Sequence, residues 1–310
     1  MQSNQVLLSE SPTYRPPDSN KNPGGLLKLQ PDTTTLILPD LHARMDYFLS
    51  VMLYVDRTGC GNLEKLAAGE LQIVCVGDGV HAEGRAKDRW RLAYTEYEGQ
   101  FDTHTAMDEE IRESFGLMEM VMLMKLAFPN LFHFLKGNHE NITNQTGNGK
   151  FAFGKYAREG EMFAEYTRKF YGQAFITLYA EFERNLPLFA VGDKFLVSHS
   201  EPFSFYSEKS IINYRSHPEI VQGLTWTDNG MAQQGSVEKM LKNYLAQEKV
   251  GPGHYFAGHR AISGRYRFLP DSGFVQIHNP DRSILAILKR HETIDVDIDI
   301  REIPINVPDK

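Results

Sequence analysis

The sequence predicts an α/β fold, on three observations. Short apolar runs of strand type recur along the chain: Leu36–Pro39, Ile73–Val76, Leu131–Leu135, Phe195–Ser198 and Tyr255–Gly258. Stretches with apolar residues at helical spacing lie between them. Each run also leads into a residue able to ligate a metal, and the ends of strands are where open α/β sheets build their sites.

Taken in order, residues 1–25 are rich in Ser, Asn, Pro and Gly, with Arg15-Pro16-Pro17 and Asn22-Pro23-Gly24-Gly25 as breakers. They are expected to form a loose, flexible arm ahead of one domain over 26–310. Met45, Phe48, Leu49 and Met52 predict a helix over 45–54. Residues 84–112, with Trp90, Tyr94, Tyr97 and Phe101 among many charges, read as an insertion, a candidate cap over a site. Ile111, Phe115, Met118, Val121 and Met122 predict a core-facing helix over 110–126. A polar loop follows over 141–154, then a helical region over 159–184. Val237, Met240, Leu241, Tyr244 and Leu245 share one face of a further helix over 236–248. Near the end, 265–269, 274–277 and 284–288 are strand candidates separated by Pro270-Asp271-Ser272-Gly273 and Asn279-Pro280-Asp281, which predicts a β-meander. Alternating residues over 295–305 add a candidate edge strand.

Composition narrows the function. A chain of 310 residues with 41% hydrophobic and 24% charged residues can bury a large core. The formal net charge of −7 gives no general attraction to nucleic acid. There is no apolar run of membrane-spanning length, so no membrane partner is expected. The first residues lack a basic, then apolar, signal pattern. Cys60 and Cys75 are the two cysteines, and Cys75 sits inside an apolar run. A reducing, cytoplasmic setting is therefore expected.

The residues that end the runs are Asp40-Leu41-His42, Gly77-Asp78, Gly137-Asn138-His139-Glu140, His199 and Gly258-His259. Carboxylate, imidazole and amide oxygen together suit a two-metal hydrolytic centre better than a core. Their order resembles the calcineurin-like metallophosphoesterase superfamily, above all its phosphoprotein (serine/threonine) phosphatase branch. Leu224-Thr225-Trp226-Thr227-Asp228 and Ile277-His278-Asn279-Pro280 add to the likeness, which spans roughly residues 30–290. The resemblance implies a four-layer α-β-β-α sandwich of two mixed β-sheets flanked by helices. It implies two divalent metal ions, Mn first, with Fe, Zn or Ni as alternatives. Asp40, His42 and Asp78 would hold one ion, and Asp78, Asn138, His199 and His259 the other. A metal-bound hydroxide would attack phosphorus directly, with His139 protonating the leaving oxygen.

The sequence departs from that branch where it usually reads Gly-Asp-x-x-Asp-Arg-Gly. Here His81 stands for the orienting Asp and Ala82 for the phosphate-clamping Arg. Position 261, where several relatives carry a second His, is Ala. His81 and Arg85 are the candidate catalytic replacements, beside Asp78 and His139. Arg44 and Arg260 are other candidate clamps, and Glu83 a candidate partner for His139. The expected function is hydrolysis of phosphate monoesters on a phosphoprotein or a small ester. One alternative is hydrolysis of a nucleotide or dinucleoside polyphosphate, its base stacked on Trp90, Tyr94 or Tyr97. Another is a catalytically impaired metal-binding scaffold.

Overall fold

The computed structural model describes residues 2–56, 59–245 and 253–305. Its strands are β1 (Leu26–Lys28), β2 (Thr34–Leu38), β3 (Leu71–Cys75), β4 (Phe132–Phe134), β5 (Phe189–Val191), β6 (Phe195–Ser198), β7 (His254–Ala257), β8 (Arg267–Leu269), β9 (Phe274–Gln276), β10 (Ile284–Leu288) and β11 (Ile300–Glu302). The helices are α1 (Gln2–Leu8), α2 (Met45–Met52), α3 (Asn62–Ala67), α4 (Lys87–Glu98), α5 (Thr105–Ala127), α6 (Glu159–Asn185), α7 (Glu208–Ile212), α8 (Pro218–Thr225), α9 (Ser236–Tyr244) and α10 (Val296–Asp299). None of the described helices is long and apolar enough to cross a membrane.

Alternation along the strands sets the layers, because successive side chains leave a strand on opposite faces. Ile37, Val74, Val197, Phe256 and Val275 point into one shared apolar layer. Their neighbours Leu36, Ile73 and Cys75 point into a second layer, with Phe48, Met118, Val121 and Phe163 of the helices α2, α5 and α6. Leu196, Tyr255 and Phe274 point into a third, with Ile220, Leu224, Val237 and Met240 of α8 and α9. Two sheets thus pack face to face with helices outside, the four-layer sandwich expected. Their orders are β11-β10-β2-β3-β4 and β1-β5-β6-β7-β9-β8. Both are mixed. The β2, β3 and β4 strands run parallel in one, and β6, β7 and β9 in the other.

Some expectations need correction. Residues 2–25 are not a loose arm. Helix α1 packs on α5 and α6, and Leu7 is buried. Arg15 is buried too, donating to the carbonyls of Gly24 and Asn185 and pairing with Glu10. The polar composition hid this, because the anchor is a buried ion pair rather than an apolar stripe. The meander also fails at its third strand. β8 and β9 pair antiparallel, but β10 crosses to the other sheet and pairs with β2 and β11. Its run Ile284-Leu285-Ala286-Ile287-Leu288 is apolar on both faces, so it needs cover on both sides. Residues 295–305 begin as α10, capped by Asp295, and only then form the edge strand β11. The helix expected over 236–248 ends at Tyr244, and positions 246–248 lie outside the described residues.

The 84–112 segment is not a cap over the site. It supplies α4 and the start of α5, in contact with each other and with α6. Trp90 and Ala93 are fully buried there, so Trp90 has no face left for a base.

Candidate metal centre

The parallel strands bring their C-terminal ends to one place. Asp40 and His42 follow β2, Asp78 follows β3, Asn138 and His139 follow β4, His199 follows β6 and His259 follows β7. Asp40, His42, Asp78, Asn138 and His199 are all buried, and His259 has only its rim exposed. Backbone strain collects here. His42, Ala43, Asp78, His81, Glu83 and His259 have φ between 41° and 75°, a region disfavoured for residues with a Cβ and typical of functional sites. A Cβ on Gly137 would strike Asp78 Oδ1, and one on Gly258 would strike Asp40 Oδ1. Glycine at these two positions therefore lets the loops close. Glu140 pins them by accepting from the N–H groups of Gly137, Asp78 and Gly79 at 2.6, 3.0 and 2.9 Å.

Four polar atoms, His199 Nε2, Asn138 Oδ1, Asp78 Oδ2 and His259 Nδ1, converge at the strand ends. His199 Nδ1 lies 3.1 Å from the Val76 carbonyl, so that nitrogen carries the proton and Nε2 is bare. Bare Nε2 faces Asn138 Oδ1 at 2.9 Å and Asp78 Oδ2 at 3.4 Å. His259 Nδ1 faces the same Asn138 oxygen at 2.9 Å. Burial, then the neighbouring His259, pushes the His199 imidazole well below its ordinary value, so a second proton does not fill the gap. The His199 Nε2 and Asn138 Oδ1 lone pairs, 2.9 Å apart, repel unless a cation sits between them. The spacing is that of donors around one ion with bonds of about 2.0–2.2 Å.

A second cluster adjoins the first. His42 Nδ1 lies 2.9 Å from the His81 carbonyl, which leaves Nε2 to face Asp78 Oδ2 at 3.6 Å and Asp40 Oδ2 at 3.9 Å. Imidazoles held by a backbone carbonyl with the other nitrogen aimed inward are the usual form of a metal ligand. The carboxyls are shifted as well. Burial raises Asp40 to about 6 despite the pull of His278. Burial, with Glu140 and Asp40 nearby, raises Asp78 well above the carboxylate range. A bound cation would reverse both shifts. Asp78 lies between the two clusters, as a bridging ligand must.

The catalytic candidates fare unequally. His139 donates its backbone N–H to Asp78 Oδ1 at 2.9 Å, and its Nε2 is 3.8 Å from Asp78 Oδ2. Its ring packs between Phe153 and His81, with centroids 4.4 and 4.8 Å away. Phe153 comes from the polar loop after β4, so that loop covers the site. His81 lies between His139 and Trp90, with Nε2 3.8 Å from Glu159. It adjoins His139 by ring packing, not by a hydrogen bond. Arg85 is not a phosphate clamp in this structure. It donates to the carbonyls of His42 and Ala43 and to Glu113, at 3.1, 2.9 and 2.7 Å. Arg44 is likewise committed to the carbonyls of Asp40, Asn279 and Arg282. Arg260 is at the rim, paired with Asp228, whose carboxylate is 3.5 Å from His259 Nε2. Glu83 does not orient His139. It faces His42 and His278 instead.

No family profile matches the sequence, and no curated protein matches it either. Solved structures do match. A protein serine/threonine phosphatase from Saccharomyces cerevisiae superposes with a TM-score of 0.58 at 13% identity, covering 99% of this chain and 89% of that one. The chain shares the fold of that phosphatase. A cold-active protein tyrosine phosphatase from a psychrophilic Shewanella species matches at TM-score 0.47 and 15% identity, over 84% of this chain and 78% of that one. A metallophosphoesterase from Sphaerobacter thermophilus matches at 0.36 and 14%, over 82% of each chain.

Sequence patterning alone does not assign His278 to the site, and the structure does. Among the described residues, Asp40, His42 and His278 can aim ligand atoms within 4.8 Å of one another, as can Asp40, Asp78 and His199. The signal was present, since Phe274-Val275-Gln276-Ile277 leading into His278 repeats the layout of the other blocks. In the sequence that stretch counts as a strand and turn and as part of the resemblance, without a ligand role for His278.

Proposed function

We propose that this protein is a metal-dependent phosphoesterase that hydrolyses phosphate monoesters. The observation that carries this reading is the convergence of His199 Nε2, Asn138 Oδ1, Asp78 Oδ2 and His259 Nδ1 on one point at the strand ends. Two divalent ions are proposed, one among Asp40, His42 and Asp78, the other among Asp78, Asn138, His199 and His259. The donor set suits Mn, Fe, Zn or Ni. Such ions supply charge neutralisation for a phosphoryl group and acidify a water. The chain supplies the rest. His139 holds a proton at Nε2 for the leaving oxygen. Its backbone bond to Asp78 and the packing of Phe153 and His81 fix the ring, in place of a carboxylate. Burial, then His81 and His42, pushes the His139 imidazole well below its ordinary value, so the metal-free ring is neutral and carries a single N–H.

The test is hydrolysis of p-nitrophenyl phosphate by chelator-stripped protein with Mn²⁺ restored. Activity is expected only with the metal. His139→Ala is expected to lower kcat by about 10²–10⁴-fold, the usual worth of a general acid, with metal uptake intact. Mono-ester cleavage that survives either change sinks the mechanism.

A second reading keeps the metals and changes the substrate to a phosphodiester or phosphoanhydride. Arg85 and Arg44 are both tied to carbonyls, which removes two anchors for a bare phosphate. Beside Asp228 and His259 lies a cleft of about 400 Å³ lined by Phe203, Tyr206, Trp226 and Met231, a place for a larger leaving group. Cleavage of bis(p-nitrophenyl) phosphate or a dinucleotide, with phosphopeptide and mono-ester untouched, selects this reading. Metal uptake with no turnover on any of them selects a binding scaffold.

A further inference from the structure

We propose that His278 is a further protein ligand of the ion held by Asp40, His42 and Asp78, with Glu83 as the carboxylate that orients it. This rests on the functional reading above and deepens it.

Topology puts His278 there. β9 lies parallel beside β7, in the register Ala257↔Gln276. The residues just past both strands therefore reach the same end of the sheet. Past β7 the chain offers one imidazole, His259, since Arg260 turns to Asp228 and position 261 is Ala. Past β9 it offers His278.

The geometry then gives each imidazole nitrogen a different task. Nδ1 faces Asp40 Oδ2 at 3.8 Å, and Nε2 faces Glu83 Oε2 at 3.2 Å. The two rings His42 and His278 stand 5.3 Å apart around the same carboxylate. His278 is completely buried, yet neither of its ring nitrogens has a hydrogen-bond partner of good geometry, nor has Glu83 Oε2. A buried polar ring left so is rare in a folded protein. An ion at Nδ1 would satisfy one side. Glu83, receiving the Nε2–H, would complete the carboxylate–histidine–metal arrangement that fixes ligating imidazoles. Glu83 also stands 3.4 Å from His42 Nε2, so its carboxylate borders the same cluster. Its backbone has φ 46°, a region disfavoured for residues with a Cβ.

The experiment is calorimetric titration of Mn²⁺ into the chelator-stripped full chain, with frozen-solution electron paramagnetic resonance of the loaded protein. Wild type is expected to take up two ions and show a spin-coupled pair. His278→Ala is expected to keep one tight ion and show the spectrum of isolated Mn²⁺. Glu83→Gln, which preserves shape and covers the case in which His278→Ala does not fold, is expected to weaken one ion by about 10–100-fold. The double variant His259→Ala with His278→Ala is expected to hold neither ion tightly, because the two residues serve different ions. Two ions at wild-type affinity and an unchanged coupled spectrum in both His278→Ala and Glu83→Gln overturn the inference alone. One tight ion retained by the double variant also overturns it. Wild type that takes up no ion overturns the functional reading itself.

Discussion

Asp78→Asn is expected to lower turnover by about 10³-fold or more, roughly 4 kcal/mol of barrier, and to weaken both ions together. Asp78 Oδ2 faces the bare nitrogens of both clusters, His42 Nε2 at 3.6 Å on one side and His199 Nε2 at 3.4 Å on the other. The asparagine keeps an oxygen to accept the His139 N–H, so the loops should hold their shape. The loss is then one of charge. The variant also carries an opposite expectation for the metal-free protein. Burial, with Glu140, Asp40 and Glu83 close by, makes the ionised Asp78 costly in the folded state. A neutral amide removes that cost, so metal-free Asp78→Asn should melt no lower than metal-free wild type and gain less on adding Mn²⁺. Calorimetric titration and thermal melts with and without metal check both halves. Retention of most activity with both ions bound would mean that Asp78 bridges nothing.

The second large effect is on stability. Glu10→Gln is expected to destabilise the fold by about 3 kcal/mol at pH 7. Burial by itself would raise the Glu10 carboxyl, but the charges of Arg15 and Lys125 more than offset it and hold it at about 2, against an ordinary 4.5. Each unit of that difference is about 1.4 kcal/mol. The sign follows from the direction. A depressed carboxyl stabilises the folded state fully above about pH 4.5, and the contribution fades as pH falls toward 2. The gap between wild type and Glu10→Gln, measured by urea unfolding, should therefore be widest near neutral pH and close in acid. The variant also leaves Lys125 and Arg15 buried without their anion, a situation that typically costs 3–5 kcal/mol. A gap that is small at pH 7, or that widens in acid, would show that the N-terminal segment is not anchored through this pair.

Much of this molecule was legible as text. The runs at 36–39, 73–76, 195–198 and 255–258 are apolar on both faces, as buried parallel strands must be, and each becomes a strand. Because parallel strands in one sheet end on the same edge, Asp40, Asp78, Asn138 and the following His139 had to gather there, as did His199 and His259. The helices over 45–54, 110–126 and 159–184 followed from their spacing, although α5 begins earlier than its apolar residues indicate. The residues that misled did so for identifiable reasons. Trp90 looked available because its helix is rich in charge, yet its ring is covered by packing against His81. Arg85 looked like a free cation, and its partners are backbone carbonyls, which carry no sequence signature.

The sequence by itself determined the strand ends and the donors they carry, because periodicity and chemistry are both local properties. Tertiary structure alone decided the rest. Only packing shows that Arg15 is buried on Glu10, that β10 leaves its neighbours to join the opposite sheet, and that Phe153 covers His139. Most of all, only the parallel pairing of β7 with β9 brings His278 to Asp40 and Glu83. Residues 40, 83 and 278 are far apart along the chain, and no local pattern records which strand ends meet in space.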